Sequence, residues 1–333
     1  VREQPSVQLN AEVGTDPQIR YLYTTPAVPG REAAAEPDDE ERRADPANPL
    51  VGALQKFWDW RAALNWMLGG VGSGLAIATG AGLSLGLVDP SRAPALYLAS
   101  GILVATGLFF VFLKIGRQMR FWRAATRWQT SWMTRELYVA LVYFPSVLAC
   151  LLAPGPLPFA LASVSAAGFL FCQAKILHRA RGIPTWRAPL VPWMIVGTGL
   201  FEGWGALAIA QSASGASGGA PFAAAGIALA LANALLWRGY VAGAAAQGIG
   251  PLARRVLRAF SAPLHAVGHL APVALAAAGW ALPGAASVLL ALAGAAAIAA
   301  GAAWKFTVIV RAGFTQGFEL PRMPQRGSGQ RAA

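Results

Sequence analysis

The sequence predicts an all-α integral membrane protein: a bundle of about eight transmembrane helices, an amphipathic interfacial helix and a disordered or extended N-terminal arm. Three observations lead there. Hydrophobic residues make up 56% of the chain and charged residues only 13%, unlike an ordinary soluble domain. The apolar residues fall in runs of about 20 or more, enough at ~1.5 Å per residue to cross ~30 Å of hydrocarbon. Charge is segregated as well, because residues 1–50 hold ten of the fifteen acids while the remainder sets 22 basic residues against five acids.

The arm, residues 1–50, has prolines at 5, 17, 26, 29, 37, 46 and 49, and a charge run from Glu36 to Arg43. It lacks helical or strand periodicity and is expected to be disordered alone. Its stretch from Ile19 to Gly30 carries two tyrosines and several apolar residues, enough to dock in extended form along a soluble partner. No cleavable signal peptide is expected at its polar start. The anchor domain occupies residues 51–325, with apolar spans at about 62–88, 94–115, 134–153, 156–177, 189–212, 219–240, 262–282 and 285–310. Pro-Gly breaks at 154–158 and 283–284 divide the third span from the fourth and the seventh from the eighth. Ala and Gly dominate the last three spans, which predicts close helix packing. Residues 326–333 form a flexible tail.

The stretch from Lys114 to Glu136, KIGRQMRFWRAATRWQTSWMTRE, holds six basic residues and three tryptophans. On a helix, Arg117, Arg120, Arg123 and Arg127 share one side, while Phe121, Ala124, Trp128 and Trp132 gather on another. That pattern is a helix lying in the membrane interface. It serves either to set topology through its charge or to add a docking surface, with Trp122 beside the arginines. Further basic residues sit before the first span and after the fourth, sixth and eighth, among them Lys175, Arg179 and Arg187. The alternate loops are short and almost neutral. The positive-inside rule therefore places both termini and every basic loop in the cytoplasm, across a bacterial inner membrane. Charge split among short loops argues against nucleic-acid binding.

Ionisable groups inside the spans are costly and mark candidate sites. Glu202, in GLFEGWGA, lies near the middle of the fifth span, as a proton group or as a structural hydrogen-bonding residue. Glu136 opens the third span beside Arg135, either ion-paired there or serving a ligand at the interface. His178 sits at the end of the fourth span, either solvated or part of a site. His265 and His269 share a helix face, but no third metal ligand of matching type lies near, and neither haem nor an iron–sulfur cluster is expected. Cys150 and Cys172 fall in apolar spans as small hydrophobes. The chain has no phosphate-cradling loop, HExxH motif or nucleophile–base pair.

In order, KIGRQMRFWRAATRWQTSWMTRE, QAKILHRARGIPTWRAP, FEGWG and WKFTVIVRAGFTQGFELPRMP resemble the membrane-anchor subunits of dimethyl-sulfoxide-reductase-type molybdoenzymes, within the polysulfide-reductase anchor group. The opening WDWRAALNW and the closing RAGFTQGFELPRMP resemble in particular the anchor of phenylacetyl-CoA:acceptor oxidoreductase. The resemblance covers about residues 57–325. It implies a noncatalytic, quinone-reactive anchor, with menaquinone or ubiquinone as its lipid-soluble carrier. Its implied partners are a ferredoxin-like iron–sulfur subunit and a catalytic subunit holding molybdopterin.

Glu136 matches the acid that closes the family's first loop motif and is implicated at its quinone site. Lys114 stands where some relatives have histidine, which speaks against a histidine-assisted mechanism, although a lysine donates hydrogen bonds too. Asn65 resembles in position a polar residue of the first helix in polysulfide-type anchors. The expected quinone pocket comprises Asn65, Lys114, Arg117, Glu136, Lys175 and His178, with Glu202 deeper on a proton pathway. Partner docking falls to Arg120, Trp122, Arg123, Arg127 and Arg187. Cytoplasmic basic loops would put the substrate in the cytoplasm, as for a CoA thioester. On physics alone a transporter or an assembly scaffold without a redox partner fits almost as well.

Overall fold

A computed structural model describes residues 52–114, 125–216 and 218–316, and it contains eight helices long and apolar enough to cross a membrane. We number them α1 Trp60–Ser84, α2 Pro90–Lys114, α3 Trp132–Leu152, α4 Pro156–Arg179, α5 Val191–Ser212, α6 Gly219–Ala242, α7 Pro251–Ala281 and α8 Pro283–Arg311. The chain is a multi-pass, all-helical membrane protein. Among the described residues, one antiparallel bridge, Leu54 with Phe314, is the sole strand-like pairing. The acidic arm and the tail expected at 326–333 lie outside the described residues.

Local chemistry sets the helix ends. Asp59 caps α1 by accepting from the backbone N–H of Arg61 at 3.0 Å and of Ala62 at 3.4 Å. The helix stops where Gly86 turns left-handed, at φ +69°, and the N–H of Leu87 reaches back to the carbonyl of Gly82 at 2.8 Å. That turn ends the first span four residues before the expected boundary at 88. Ser131 caps α3, accepting from the N–H of Thr134 at 3.3 Å. Prolines at the first or second position open α4, α5 and α7.

Two stretches differ from the sequence reading. Of the expected interfacial helix, residues 115–124 lie outside the described residues, and Arg117, Arg120, Trp122 and Arg123 with them. The described part, 125–131, is a short turn rather than a lying helix, and Trp132 to Glu136 already belong to α3. The turn is held by local bonds. Arg135 donates to the carbonyls of Trp128 and Gln129, and Tyr138 donates to that of Ala125. The second difference is α7, which begins at Pro251 instead of near 262. Buried Ala253 and Leu257, one turn apart, give Pro251–Pro263 an inner stripe, and Arg255 and Arg258 face outward. The described amphipathic basic helix is thus this one. At Pro263, which has no N–H to give the ladder, α7 passes into a π-helical turn, Leu264–Leu270.

The bundle forms two groups, α1–α4 and α5–α8, joined chiefly where α1 packs on α5. Glycines make that junction. A Cβ at Gly74 would overlap the carbonyl of Gly199, and one at Gly203 would overlap the backbone of Gly74. On its other side α5 meets α8 through Gly205 and Gly294. Within lipid, where apolar burial alone does not drive helices together, such backbone contact supplies the packing. Three apolar cores follow. Tyr97, Tyr143 and Phe169 fill the first group, and Phe201, Trp204 and Phe222 the far half of the second. Trp66, Trp186, Trp237 and Trp304 fill the end that carries the basic loops.

Candidate functional site

The basic end is closed by three segments distant in sequence. Trp58 stacks on Trp186 at 4.7 Å and leans on Trp66 at 4.8 Å. Gln55 ties the same segment to the chain's far end, since its Nε2 donates to the carbonyl of Ile309 and its N–H to that of Gly313. Trp186 Nε1 donates to the carbonyl of Val308, and Thr185 Oγ1 to that of Ala312. The WDW opening, the PTWR turn and the closing RAGFT segment therefore form one cap over the helix ends. Arg187 lies in this cap, half-buried, and donates to Gln316 Oε1 at 2.7 Å.

Under the cap, polar side chains gather within α1–α4. Gln173 Nε2 donates to the carbonyl of Asn65 at 3.0 Å, and Trp66 Nε1 donates to the carbonyl of Gln173 at 3.1 Å. Both amide side chains are buried, yet neither Asn65 Oδ1 nor Gln173 Oε1 has a hydrogen-bond partner among the described residues. Asn65 Oδ1 faces α2 at Gly107, where a Cβ would come within 3.2 Å of it. Glu136, on α3, is buried with Oε1 similarly unpartnered among the described residues, and α3 packs against α4, which carries Gln173. Three acceptors without donors thus lie in neighbouring helices, on the basic side of the bundle. A buried polar atom left unsatisfied costs about 1–3 kcal/mol, so these acceptors call for donors beyond the described residues.

At the rim, Asp59 joins two cations, Arg61 Nη2 at 2.8 Å and Lys114 Nζ at 3.6 Å. The Arg61 guanidinium holds the Asp59 carboxyl below its ordinary value. Lys114 Nζ is buried and is engaged only loosely, by the Asp59 carboxylate at 3.6 Å, so it has donor capacity beyond that pair. Lys175 is half-buried above the ring of Phe171 at 5.2 Å. His178 lies against the backbone of Trp186 and Ala188, at the border with the cap. Arg127 is exposed on the turn before α3.

Glu202 is placed deeper, about 16 Å along α5 from its start. Lys305, from α8, donates to Glu202 Oε2 at 2.5 Å, and both side chains are fully buried. Glycines make room for the pair. A Cβ at Gly70 of α1 would strike both partners, and one at Gly301 of α8 would strike Glu202 Oε1. The remaining oxygen, Oε1, has no hydrogen-bond partner among the described residues.

Sequence reasoning missed Lys305, Gln173 and Asp59. Lys305 stood in the quoted WKFTVIVR motif, and its place six residues inside the last span was the available signal. Gln173 was legible only as a polar residue within an apolar run. Cys150 and Cys172 are buried free thiols, as expected, and no group of three metal-binding side chains occurs among the described residues.

No protein-family model matches the chain. It is similar to a sulfite dehydrogenase subunit from Allochromatium vinosum, 29% identical over 155 residues, which take in 38% of this chain and 46% of that protein. The match thus spans about half the length of that relative.

Proposed function

We propose that this chain is the membrane anchor and quinone-binding subunit of a molybdopterin and iron–sulfur oxidoreductase complex, of the polysulfide-reductase anchor type. The observation that carries the reading is the buried Glu136 carboxyl, with Oε1 lacking a partner among the described residues, just inside the basic end of α3. Support comes also from the likeness to a sulfite dehydrogenase subunit, since such a name denotes one chain of a redox complex. The multi-span fold suits a subunit that meets a lipid-soluble carrier.

A quinone fits the residues present. When bound it supplies two-electron, two-proton carrier chemistry. Asn65 Oδ1, Gln173 Oε1 and Glu136 Oε1 are open acceptors for quinol hydroxyls, and Lys114 Nζ is an open donor for a quinone oxygen. Glu136 is the group that takes or returns a proton, because its Oε1 has no hydrogen-bond partner among the described residues. Lys175 and His178, on α4 at the same basic end, complete the proposed quinone site.

The iron–sulfur subunit would dock over the cap and the turn that carries Arg127, with the molybdopterin subunit beyond it. With both termini and the basic loops in the cytoplasm, the complex oxidises a cytoplasmic substrate and passes electrons to quinone. A CoA thioester satisfies that placement. The name of the relative favours sulfite as a second candidate.

Purification from native membranes in mild detergent tests the assembly. Molybdenum, iron and two larger soluble chains in fixed ratio are expected, and a metal-free protein that purifies alone and monodisperse refutes the reading. Within the complex, Glu136→Gln is expected to lower quinone-coupled turnover by about 100-fold while sparing reduction of a soluble dye. Equal loss of both activities would assign Glu136 to assembly. A reporter fused after Ala333 that is active only outside the membrane would overturn the orientation.

A further inference from the structure

The second helix group contains a polar compartment that the quinone reading does not use. A cavity of about 20 Å³ lies among α5, α6, α7 and α8, lined by Thr198, Asn233, His269, Gly301 and Trp304 among others. That size accommodates about one water molecule. Glu202 Oε1 lies behind this wall, against Gly301, and neither Oε1 nor the Nε1 of the lining residue Trp304 has a hydrogen-bond partner among the described residues. The two polar atoms are complementary, a donor and an acceptor, which is what a bridging water requires. Thr198 and Asn233 are already engaged with each other at 3.2 Å and with backbone carbonyls, so they hold the wall.

A second histidine adjoins the lining. His269 is buried in that lining, and its Nδ1 lies 3.1 Å from Nδ1 of His265, which is half-exposed on the outer side of α7. The π-helical turn after Pro263 contains both rings, and such turns recur at functional sites. Among the described residues, the titratable group lining this compartment is His269 of α7, with His265 in contact with it and Glu202 of α5, paired with Lys305 of α8, against Gly301. From α6, Tyr240 points elsewhere, donating to the carbonyl of Thr185.

We propose that His265, His269 and one water bound in the cavity form a proton-conducting route that ends at Glu202 Oε1. Each imidazole takes a proton on one ring nitrogen and releases one from the other, the Nδ1–Nδ1 contact being the internal handover. The water accepts from His269 Nε2 and donates to Glu202, and Trp304 Nε1 holds it by donating to its oxygen. The arriving proton neutralises Glu202 and leaves Lys305 as the charged member of the pair. No bond other than those to the moving proton changes. The route uses His265, His269 and Trp304, none of which belongs to the proposed quinone site in α1–α4, and it supplies an entry to Glu202.

The test is a rapid pH drop on the full-length chain in lipid nanodiscs, followed by time-resolved infrared spectroscopy. A protonated-carboxyl band that is absent from Glu202→Gln is expected to rise. His265→Gln, His269→Gln and Trp304→Phe are each expected to slow it by about 100-fold. A wild-type rate in any one of the three overturns the route, and the lack of any band sensitive to Glu202→Gln overturns its end point. His265→Gln alters a half-exposed side chain, so it keeps the test open if His269→Gln does not fold.

Discussion

Lys305 on α8 and Glu202 on α5, 103 residues apart, meet at 2.5 Å with both side chains fully buried. A pair of this kind is strongly asymmetric in its response to mutation. Removing one member strands the other charge in a low-dielectric interior, at a cost of about 3–5 kcal/mol, whereas replacing both with apolar groups of similar volume is close to neutral. Glu202→Gln or Lys305→Met alone should therefore lower the melting temperature in detergent sharply. The Glu202→Leu, Lys305→Met double variant should recover most of the loss. A double-mutant cycle with no coupling would show that the two side chains do not pair in the folded protein.

Glycine contact at α1–α5 makes a steric prediction. Gly203→Leu cannot be absorbed by a side-chain rotation, because the first added carbon already overlaps the backbone of Gly74. The helices must part, and overpacking typically costs about 1–3 kcal/mol or more. Gly284→Leu serves as control, since a Cβ there meets nothing within 4 Å. Folded yield on size-exclusion chromatography should drop for the first and hold for the second.

The cap makes a local prediction. Trp186→Phe keeps a ring against Trp58 but removes the N–H that satisfies Val308, leaving that carbonyl unpaired at about 1–3 kcal/mol. Hydrogen exchange should rise at Gln55 and Thr315, whose N–H groups bond across the cap, and stay unchanged in the Tyr97–Tyr143 core of the first group. Uniform loss of protection would mean that the cap has no separate stability.

Asp59 predicts a pH dependence. Its carboxyl is depressed below the ordinary 3.8, mainly by Arg61, so its charge stabilises the fold above the unfolded value and the benefit is lost as pH falls through the folded one. Asp59→Asn retains a capping oxygen for the N–H groups of Arg61 and Ala62 while removing the charge that pairs with Arg61 and Lys114. The difference in melting temperature between wild type and variant should be constant near neutrality and vanish in strong acid. A difference that persists unchanged below the unfolded value would assign the effect to the cap geometry instead.

The sequence by itself determined the membrane class, the number of spans and most of their ends. These depend on the length of apolar runs and on capping, proline and glycine signals, all of which are local. It also marked Glu136 and Glu202 as costly ionisable groups within spans, while Asn65 entered only through a family resemblance. Only the tertiary structure decided what those groups meet. Lys305 reads in sequence as one more cation near a helix end, free to reach the interface, and it becomes the buried partner of Glu202 only because glycines at 70 and 301 open space between three helices. Likewise Gln55, Trp58, Trp186 and Ile309 form one cap although no periodicity links them. Pairing across distant segments is set by which helices touch and by which side chains are small enough to let them, and that information is spread over the whole chain.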